Sequence, residues 1–585
     1  MSSMNNKGFI SRTHESERDK IGLGERGWIT LLCLVCLVVI FSDLGGTALF
    51  EPDEGRNAEK AREILLLGDW VTPYENFLTT LDKPMFLYWF VALSFKIFGI
   101  SEWSARLPSA LAALGTMFLV YRFARLHLGL WEALWSCLIL VTSFEFFSFS
   151  RIVIFDMTLT FFISLALFAF YAALSGDQKH AGLNYVLMYA AMGAGTLVKG
   201  PIAVIIPAMV IFCYLFLTHQ WLLIKKRMTP LLGAAIYLSI VAPWYLWMDW
   251  RNPGYLKYFF WQEHFFRFAT PDFGRNKSWY YFFVVIGAGF APWSPLLLLT
   301  IKDQWKRGFN DANLFLVLWA ALPFIFFSLS NAKLPQYILP IFPALAILTG
   351  QTIAIRFSGP ANKEKWILYI PWSVTLALIL YFLLGSAWPQ LLPNEIRLAV
   401  SQQLAAVAIY GAIISGIYGS YLCGMRKGIW RDAGAAYLCV CIGIALFLLL
   451  SGQIVKAASF HRSAKTLAAE SASLIASDDQ IVFYATYLEG VPFYLRIDRP
   501  IWLVETRRRA APMTNSYLGM HRMVPAPGYG QVVFSHDEFA EQWKRNEKVF
   551  RVFLRERGLV WFSGEVGGSP RILAKVDEYL LVTNR

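Results

Sequence analysis

The chain has 585 residues, 56% of them hydrophobic and only 16% charged, with a formal net charge of +13. A soluble protein carries about 25% charged residues, so this composition excludes an ordinary water-soluble globular fold and defines a polytopic α-helical membrane protein. The basic residues sit in short loops between apolar runs, which is the positive-inside pattern and points to membrane lipids, with no nucleic acid as partner.

All seven cysteines lie in apolar stretches, with Cys33 and Cys36 forming a Cys-x-x-Cys inside the first, so no disulfide framework is expected outside the membrane. A polar tail, residues 1–27, carries Arg12, Arg18, Lys20 and Arg26 and precedes a long apolar run at 28–49. The run reads as a retained span rather than a cleaved signal, with the N-terminus cytoplasmic and residues 51–84 outside. Residues 84–98 fall short of the roughly 20 needed to cross. They read as a helix lying at the interface, with Phe86, Tyr88, Trp89 and Phe90 at headgroup level. Further spans follow at 104–126, 130–150, 157–175, 184–198, 201–218, 229–249, 279–300, 312–330, 338–354, 366–386, 404–424 and 433–451. The total is about thirteen, an odd number, which places the tail outside. The transmembrane domain is thus 28–451 and the tail 452–585 a separate domain. In the tail a helical stretch, Ser463 to Ala476, precedes strand-like runs at Ile481–Tyr487, Val491–Arg496, Ile501–Glu505, Val532–Ser535 and Leu559–Phe562, the pattern of a small α/β domain.

With this sidedness the outer face gathers Asp53, Glu54, Asp82, Lys83, Asp156, Lys199, Arg267, Lys333 and Tyr337. Each also has a plainer reading. Asp53 stands before a helical pattern closed by Gly68 and could be an N-cap. Lys83, held extended by Pro84, could meet lipid headgroups. Asp156 begins a span among apolar neighbours, where a carboxylate is a functional candidate, with Arg151 as its structural alternative partner. His264 reads as a structural histidine. Arg267 is either an interfacial snorkeller or a fork onto a phosphate. Lys333 and Tyr337 are four residues apart, although Pro335 interrupts their helical register. Cations beside carboxylates at one membrane surface suit a lipid-linked phosphate and a sugar. No His/Cys cluster argues for zinc, and no Walker loop or Ser-His-Asp arrangement is evident.

The segments FEPDEGRNAEKAREILLLGDWVTP, LDKPMFLYW, SARLPSALAAL, RIVIFDMTLTFF, LVKGP and NAKLPQYILPIFPALAIL resemble those of bacterial glycosyltransferases of the C superfamily (GT-C fold). More narrowly they resemble the lipid A aminoarabinose transferases and protein-mannosyltransferase-like enzymes. The resemblance spans residues 50–350, with YATYLEGVPFYL a looser match in the tail. It implies an inner-membrane enzyme that takes a sugar, 4-amino-4-deoxy-L-arabinose, from undecaprenyl phosphate and places it on a lipid A phosphate at the periplasmic face. Carried over by position, Asp53 and Asp156 match the family's acidic positions, with Glu54 beside them. Lys83, Arg267 and Tyr337 match residues that hold the carrier phosphate, and Asp82, Lys199 and Lys333 are further candidates for substrate contact. Two departures are Asp82 where Glu is usual and Met85 where a second Pro often follows.

The expected chemistry is a single inverting displacement at the anomeric carbon. Cations stabilise the leaving carrier phosphate. Asp53 acts as general base if the acceptor is a hydroxyl and as an orienting group if it is a phosphate. No cofactor is required, though paired carboxylates could hold a divalent metal. The alternatives are a related transferase acting on another lipid, glycan or protein, and, from a different class, a transporter or flippase of the lipid-linked sugar.

Overall fold

A computed structural model describes residues 23–176, 178–266, 277–358, 369–387, short helical stretches between 409 and 452, and 463–505, 524–567 and 569–585. The expected spans at 404–424 and 433–451 lie largely outside the described residues, and Arg267 lies wholly outside them. Among the described residues seven helices are long and apolar enough to cross a membrane: Gly24–Phe41, Glu102–His127, Phe155–Ser175, Lys179–Lys199, Pro230–Arg251, Asp311–Leu329 and Pro335–Phe357. An eighth arises if Leu130–Thr142 and Phe144–Ser150, bent by 67°, form one span.

Two single spans expected from hydropathy are interrupted. The 130–150 run breaks at Ser143, whose backbone is extended. The 279–300 run divides into Tyr281–Gly289 and Leu296–Arg307, because Pro292 and Pro295 remove donors and block the preceding turn. The first helix stops at Phe41 rather than 49. There Arg151 donates from Nη1 to the carbonyls of Val39 and Ile40, each at 2.9 Å, satisfying groups the helix leaves open. The helix Phe86–Phe98 has 13 residues, too few to cross.

The chain forms two compact units that interleave along the sequence. The first contains Met1–Leu44, Ser109–Ala242 and Phe265–Ala457. Its centre is the helix Leu130–Thr142, buried on every face, as a helix apolar all round must be. It packs on Phe342–Ser358 at Gly350, where a Cβ would lie 2.6 Å from the Ser136 nitrogen, so the small residue allows the backbones to touch. Phe123, Phe168, Tyr171 and Phe315 fill an aromatic core nearby.

The second unit contains Gly45–Pro108, Pro243–His264 and Ala458–Arg585. A hairpin pairs β1 (Tyr74–Glu75) with β2 (Leu78–Thr79). The tail holds a six-stranded sheet of β3 (Gln480–Tyr484), β4 (Trp502–Glu505), β5 (Val533–Ser535), β6 (Phe550–Arg555), β7 (Arg571–Val576) and β8 (Tyr579–Thr583), in the order β5-β4-β3-β6-β8-β7. The four strands β5, β4, β3 and β6 are parallel, and β8 and β7 close the edge antiparallel. Alternate residues of β3 feed two cores, Ile481 and Phe483 on one face and Val482 and Tyr484 on the other. A parallel sheet covered on both faces requires this. Two expected strands are helices: Val491–Leu495, where Pro492 suits the first turn, and Leu559–Val566. The expected helix at 463–476 is Lys465–Ser471 with a 3-10 turn after it.

The tail and the 45–108 segment share one core. Leu78 of β2 packs among Leu467, Phe483 and Leu503. The Thr79 nitrogen donates to the Val524 carbonyl at 2.9 Å and the Ala526 nitrogen to the Phe77 carbonyl at 2.8 Å. The Asn76 side chain bonds both backbone groups of Ile501 at 2.8 Å.

Candidate active site

Residues 53–67 contain strong helix formers, acids in the first turn that complement the helix dipole, and Gly68 in the left-handed conformation (φ 67°) after the last turn. The helix Asp53–Leu67 is rich in charge, yet Glu54 through Ile64 are buried. Among these buried groups Glu54, Lys60 and the Arg62–Glu59 couple are ion-paired inside the second unit, whereas Glu63 has no opposite charge bonded to it among the described residues. Asp53 is the first helical residue rather than the N-cap, which is Pro52. It pairs with Arg56 one turn on, and its side chain stays 63% exposed. Glu54, expected to be catalytic, is engaged in a buried ion pair. Its oxygens accept from Arg106 Nε at 2.8 Å and Nη2 at 2.7 Å, and from the Phe50 nitrogen at 3.1 Å. Arg106 is itself wholly buried and also donates to Thr47 and the Ala48 carbonyl.

Lys60, also fully buried, reaches Asp82 at 3.0 Å and Glu75 at 3.4 Å. It thereby pins the Asp82-Lys83-Pro84 turn to the helix. Asp82, read as a substrate contact, is 3% exposed and bonded to this lysine. Lys83 donates to Glu263 and to the Asp82 carbonyl, both at 2.9 Å, with 16% of its side chain open. Glu263 belongs to a π-helical stretch, Tyr258–Phe266. The neighbouring His264 bonds the Phe259 carbonyl through Nδ1 at 2.7 Å, in keeping with a structural histidine.

Carboxyls at the junction with the tail have pKa values displaced upward. Glu51 accepts from the backbone nitrogens of Glu489 and Gly490, at 3.0 and 2.7 Å, while burial raises its pKa. Burial and then the Glu51 charge raise Glu489 well above the usual range. For Glu63 the causes are burial and then the Glu59 charge.

In the first unit Asp156 lies in the opening turn of Phe155–Ser175, 3% exposed. It is ion-paired with Lys199, the last residue of Gln178–Lys199. The Lys199 ammonium also sits 4.7 Å from the Tyr337 ring centroid. Three candidates from separate places in the sequence thus form one cluster. Lys333 is 5% exposed and donates to the Ser330 and Lys277 carbonyls at 2.5 and 3.2 Å, and burial pulls its pKa below that of an ordinary lysine. Sequence reasoning missed Lys60, Arg106, Glu263 and Glu145. For Glu145 the available signal was a carboxylate within the aromatic run FEFFSFS. Among the described residues no group of three or more His, Cys, Asp or Glu side chains is placed to hold a metal.

Apolar helices bearing ion-paired charges at their ends, with a C-terminal α/β sheet, make this a multi-pass membrane protein, and its likenesses place it among the glycosyltransferases of the GT-C fold. Residues 82–247 match the family described as dolichyl-phosphate-mannose-protein mannosyltransferase. An undecaprenyl phosphate-α-4-amino-4-deoxy-L-arabinose arabinosyl transferase from Pseudomonas fluorescens (strain Pf0-1) is 30% identical over 418 residues, 68% of this chain and 72% of that protein. The transferase of the same name from Pseudomonas aeruginosa PAO1 is 32% identical over 340 residues, 57% of this chain and 61% of that protein. The crystal structure of ArnT from Cupriavidus metallidurans bound to undecaprenyl phosphate superposes with a TM-score of 0.80 and 26% identity, covering 96% of this chain and 98% of that one. The chain belongs to the undecaprenyl phosphate-α-4-amino-4-deoxy-L-arabinose arabinosyl transferase family.

Proposed function

We propose that the protein transfers 4-amino-4-deoxy-L-arabinose from undecaprenyl phosphate to a lipid acceptor, a lipid A phosphate, at the periplasmic face of a bacterial inner membrane. The observation that carries this reading is the likeness, over 96% of the chain, to a transferase crystallised with undecaprenyl phosphate. The positive-inside distribution supports a cytoplasmic N-terminus and a periplasmic tail.

An acceptor phosphate oxygen attacks the anomeric carbon as the bond from that carbon to the carrier phosphate oxygen breaks. The carrier phosphate leaves with the electron pair, and the configuration inverts. An acceptor phosphate is already ionised near neutral pH, so no proton needs to be removed. Lys83, positioned by Glu263, is assigned to the leaving carrier phosphate together with Arg267 and Tyr337. Asp156, held by Lys199, is assigned to the sugar, and the exposed Asp53 to the acceptor. Glu54 is left out of the chemistry because Arg106 occupies it. The scheme draws on no cofactor.

In proteoliposomes supplied with donor and lipid A, Lys83→Ala is expected to lose transfer by at least about 100-fold, the range in which one preorganised donor acts. Insertion should be unchanged. Full activity in that variant would remove Lys83 from the reaction.

A further inference from the structure

Glu145 is set apart from the other carboxylates described above by the lack of any hydrogen-bond partner among the described residues. It follows the bend at Ser143 and is 4% exposed, and neither of its oxygens has a hydrogen-bond partner among the described residues. A buried carboxylate in that state is strongly unfavourable, and as a neutral acid its hydroxyl would equally lack an acceptor. The fold nevertheless makes room for it. A Cβ on Gly289 would lie 2.2 Å from Glu145 Oε2, so that position admits only glycine while the carboxylate stays.

Its surroundings indicate what the carboxylate awaits. The helix Phe144–Ser150 packs against Phe155–Ser175, which carries Asp156, and against Pro335–Ile341, which carries Tyr337. Asp156 lies within electrostatic reach of Glu145, as does Tyr281 on the next element. Asp156 already has the Lys199 ammonium. Glu145 therefore extends the sugar-side cluster by one unmatched acceptor. A metal would need a fuller set of ligands than the described residues offer. An ammonium needs only a carboxylate and one or two further acceptors.

We infer that Glu145 is a specificity-determining residue that receives the ammonium group of the donor sugar. This rests on the reading that the donor is an amino sugar. The carboxylate discriminates by charge, since a donor with a hydroxyl at that carbon has the same size but leaves Glu145 buried and unmatched.

The test compares two donors, undecaprenyl phosphate-linked 4-amino-4-deoxy-L-arabinose and undecaprenyl phosphate-linked L-arabinose, with full-length protein in proteoliposomes and lipid A as acceptor. The wild type is expected to prefer the amino donor in kcat/KM by at least about tenfold, and Glu145→Gln to lose that preference with its thermal midpoint unchanged. A merely structural glutamate would leave the ratio untouched. Glu145→Asp, which keeps the charge, is expected to retain an intermediate preference, and it carries the test if the glutamine variant fails to accumulate. A wild type that transfers both donors equally, or a variant that keeps the wild-type ratio, overturns the inference. A wild type that transfers neither overturns the functional reading as well.

Discussion

Two adjacent acids, Asp53 and Glu54, are expected to respond oppositely to removal of their charge. Glu54→Gln leaves the Arg106 guanidinium fully buried and without its counter-charge. Breaking a buried pair costs about 3–5 kcal/mol. The lower end applies here, because Gln keeps one acceptor and Arg106 retains Thr47 and the Ala48 carbonyl. For a unit of roughly 200 residues, about 3 kcal/mol lowers the thermal midpoint by about 6–12 °C. Turnover per folded molecule should stay within about threefold, since each threefold represents less than 1 kcal/mol of barrier. Asp53→Asn is the converse. Its pair with Arg56 is largely exposed on the acid's side, worth about 0–1 kcal/mol, so the midpoint should move by no more than about 2–4 °C. Transfer should fall at least about tenfold if Asp53 orients the acceptor and about 100-fold or more if it acts as a base. Thermal unfolding in detergent and a transfer assay on the same preparations separate the two effects. A Glu54→Gln variant with wild-type midpoint and lost turnover would refute the division of roles drawn from burial.

Other consequences follow from the same contacts. Gly55→Ala places a Cβ 2.8 Å from the Gly490 nitrogen and 2.9 Å from Glu51 Oε1, and the backbone neighbour cannot rotate away. Overpacking of about 1–3 kcal/mol should loosen the tail from the 53–67 helix, read as faster proteolysis within the second unit; unchanged proteolysis would mean the contact is not tight. Glu63 and Glu489 have pKa values raised above the ordinary 4.5, chiefly by burial, so the native state holds protons that the unfolded chain releases. The second unit should therefore lose stability as pH rises from about 4.5 through the raised values, by up to about 1.4 kcal/mol per pH unit per group. Glu63→Gln should flatten that slope in thermal unfolding measured against pH. A slope of opposite sign would show these acids ionised in the native state. Lys60→Met should remove the ammonium bonded to both Asp82 and Glu75, leaving only the Arg56 charge nearby, at a cost of about 3 kcal/mol, the lower end for a broken buried pair. That loss should appear in thermal unfolding, and a wild-type midpoint would argue against the Lys60 bridge.

Hydropathy made the membrane helices legible because burying apolar surface is a local property of each run. It misplaced the breaks at Ser143 and between Gly289 and Leu296, where one extended residue or a pair of prolines outweighs an apolar average. Asp156, Lys199 and Tyr337 were visible separately as polar residues at the ends of apolar runs. Their convergence depends on helix packing, which spacing along the chain does not encode. The acids and bases of the 53–67 helix looked alike in sequence, and their partners divide them. Arg106 neutralises Glu54 from 52 residues away, whereas Asp53 remains open. In the tail, Val491–Leu495 has the composition of a strand, but Pro492 and the neighbouring core turn it into a short helix. Strands β6 to β8 escaped notice because charged residues interrupt them, as on partly solvated faces.

The most direct test of the central claim is mass analysis of lipid A after incubation with purified wild-type protein in proteoliposomes and undecaprenyl phosphate-linked 4-amino-4-deoxy-L-arabinose. The account predicts one added aminopentose on a lipid A phosphate, formed with inversion and lost in Lys83→Ala. Unmodified lipid A, with the donor intact or the sugar delivered to protein, would contradict it.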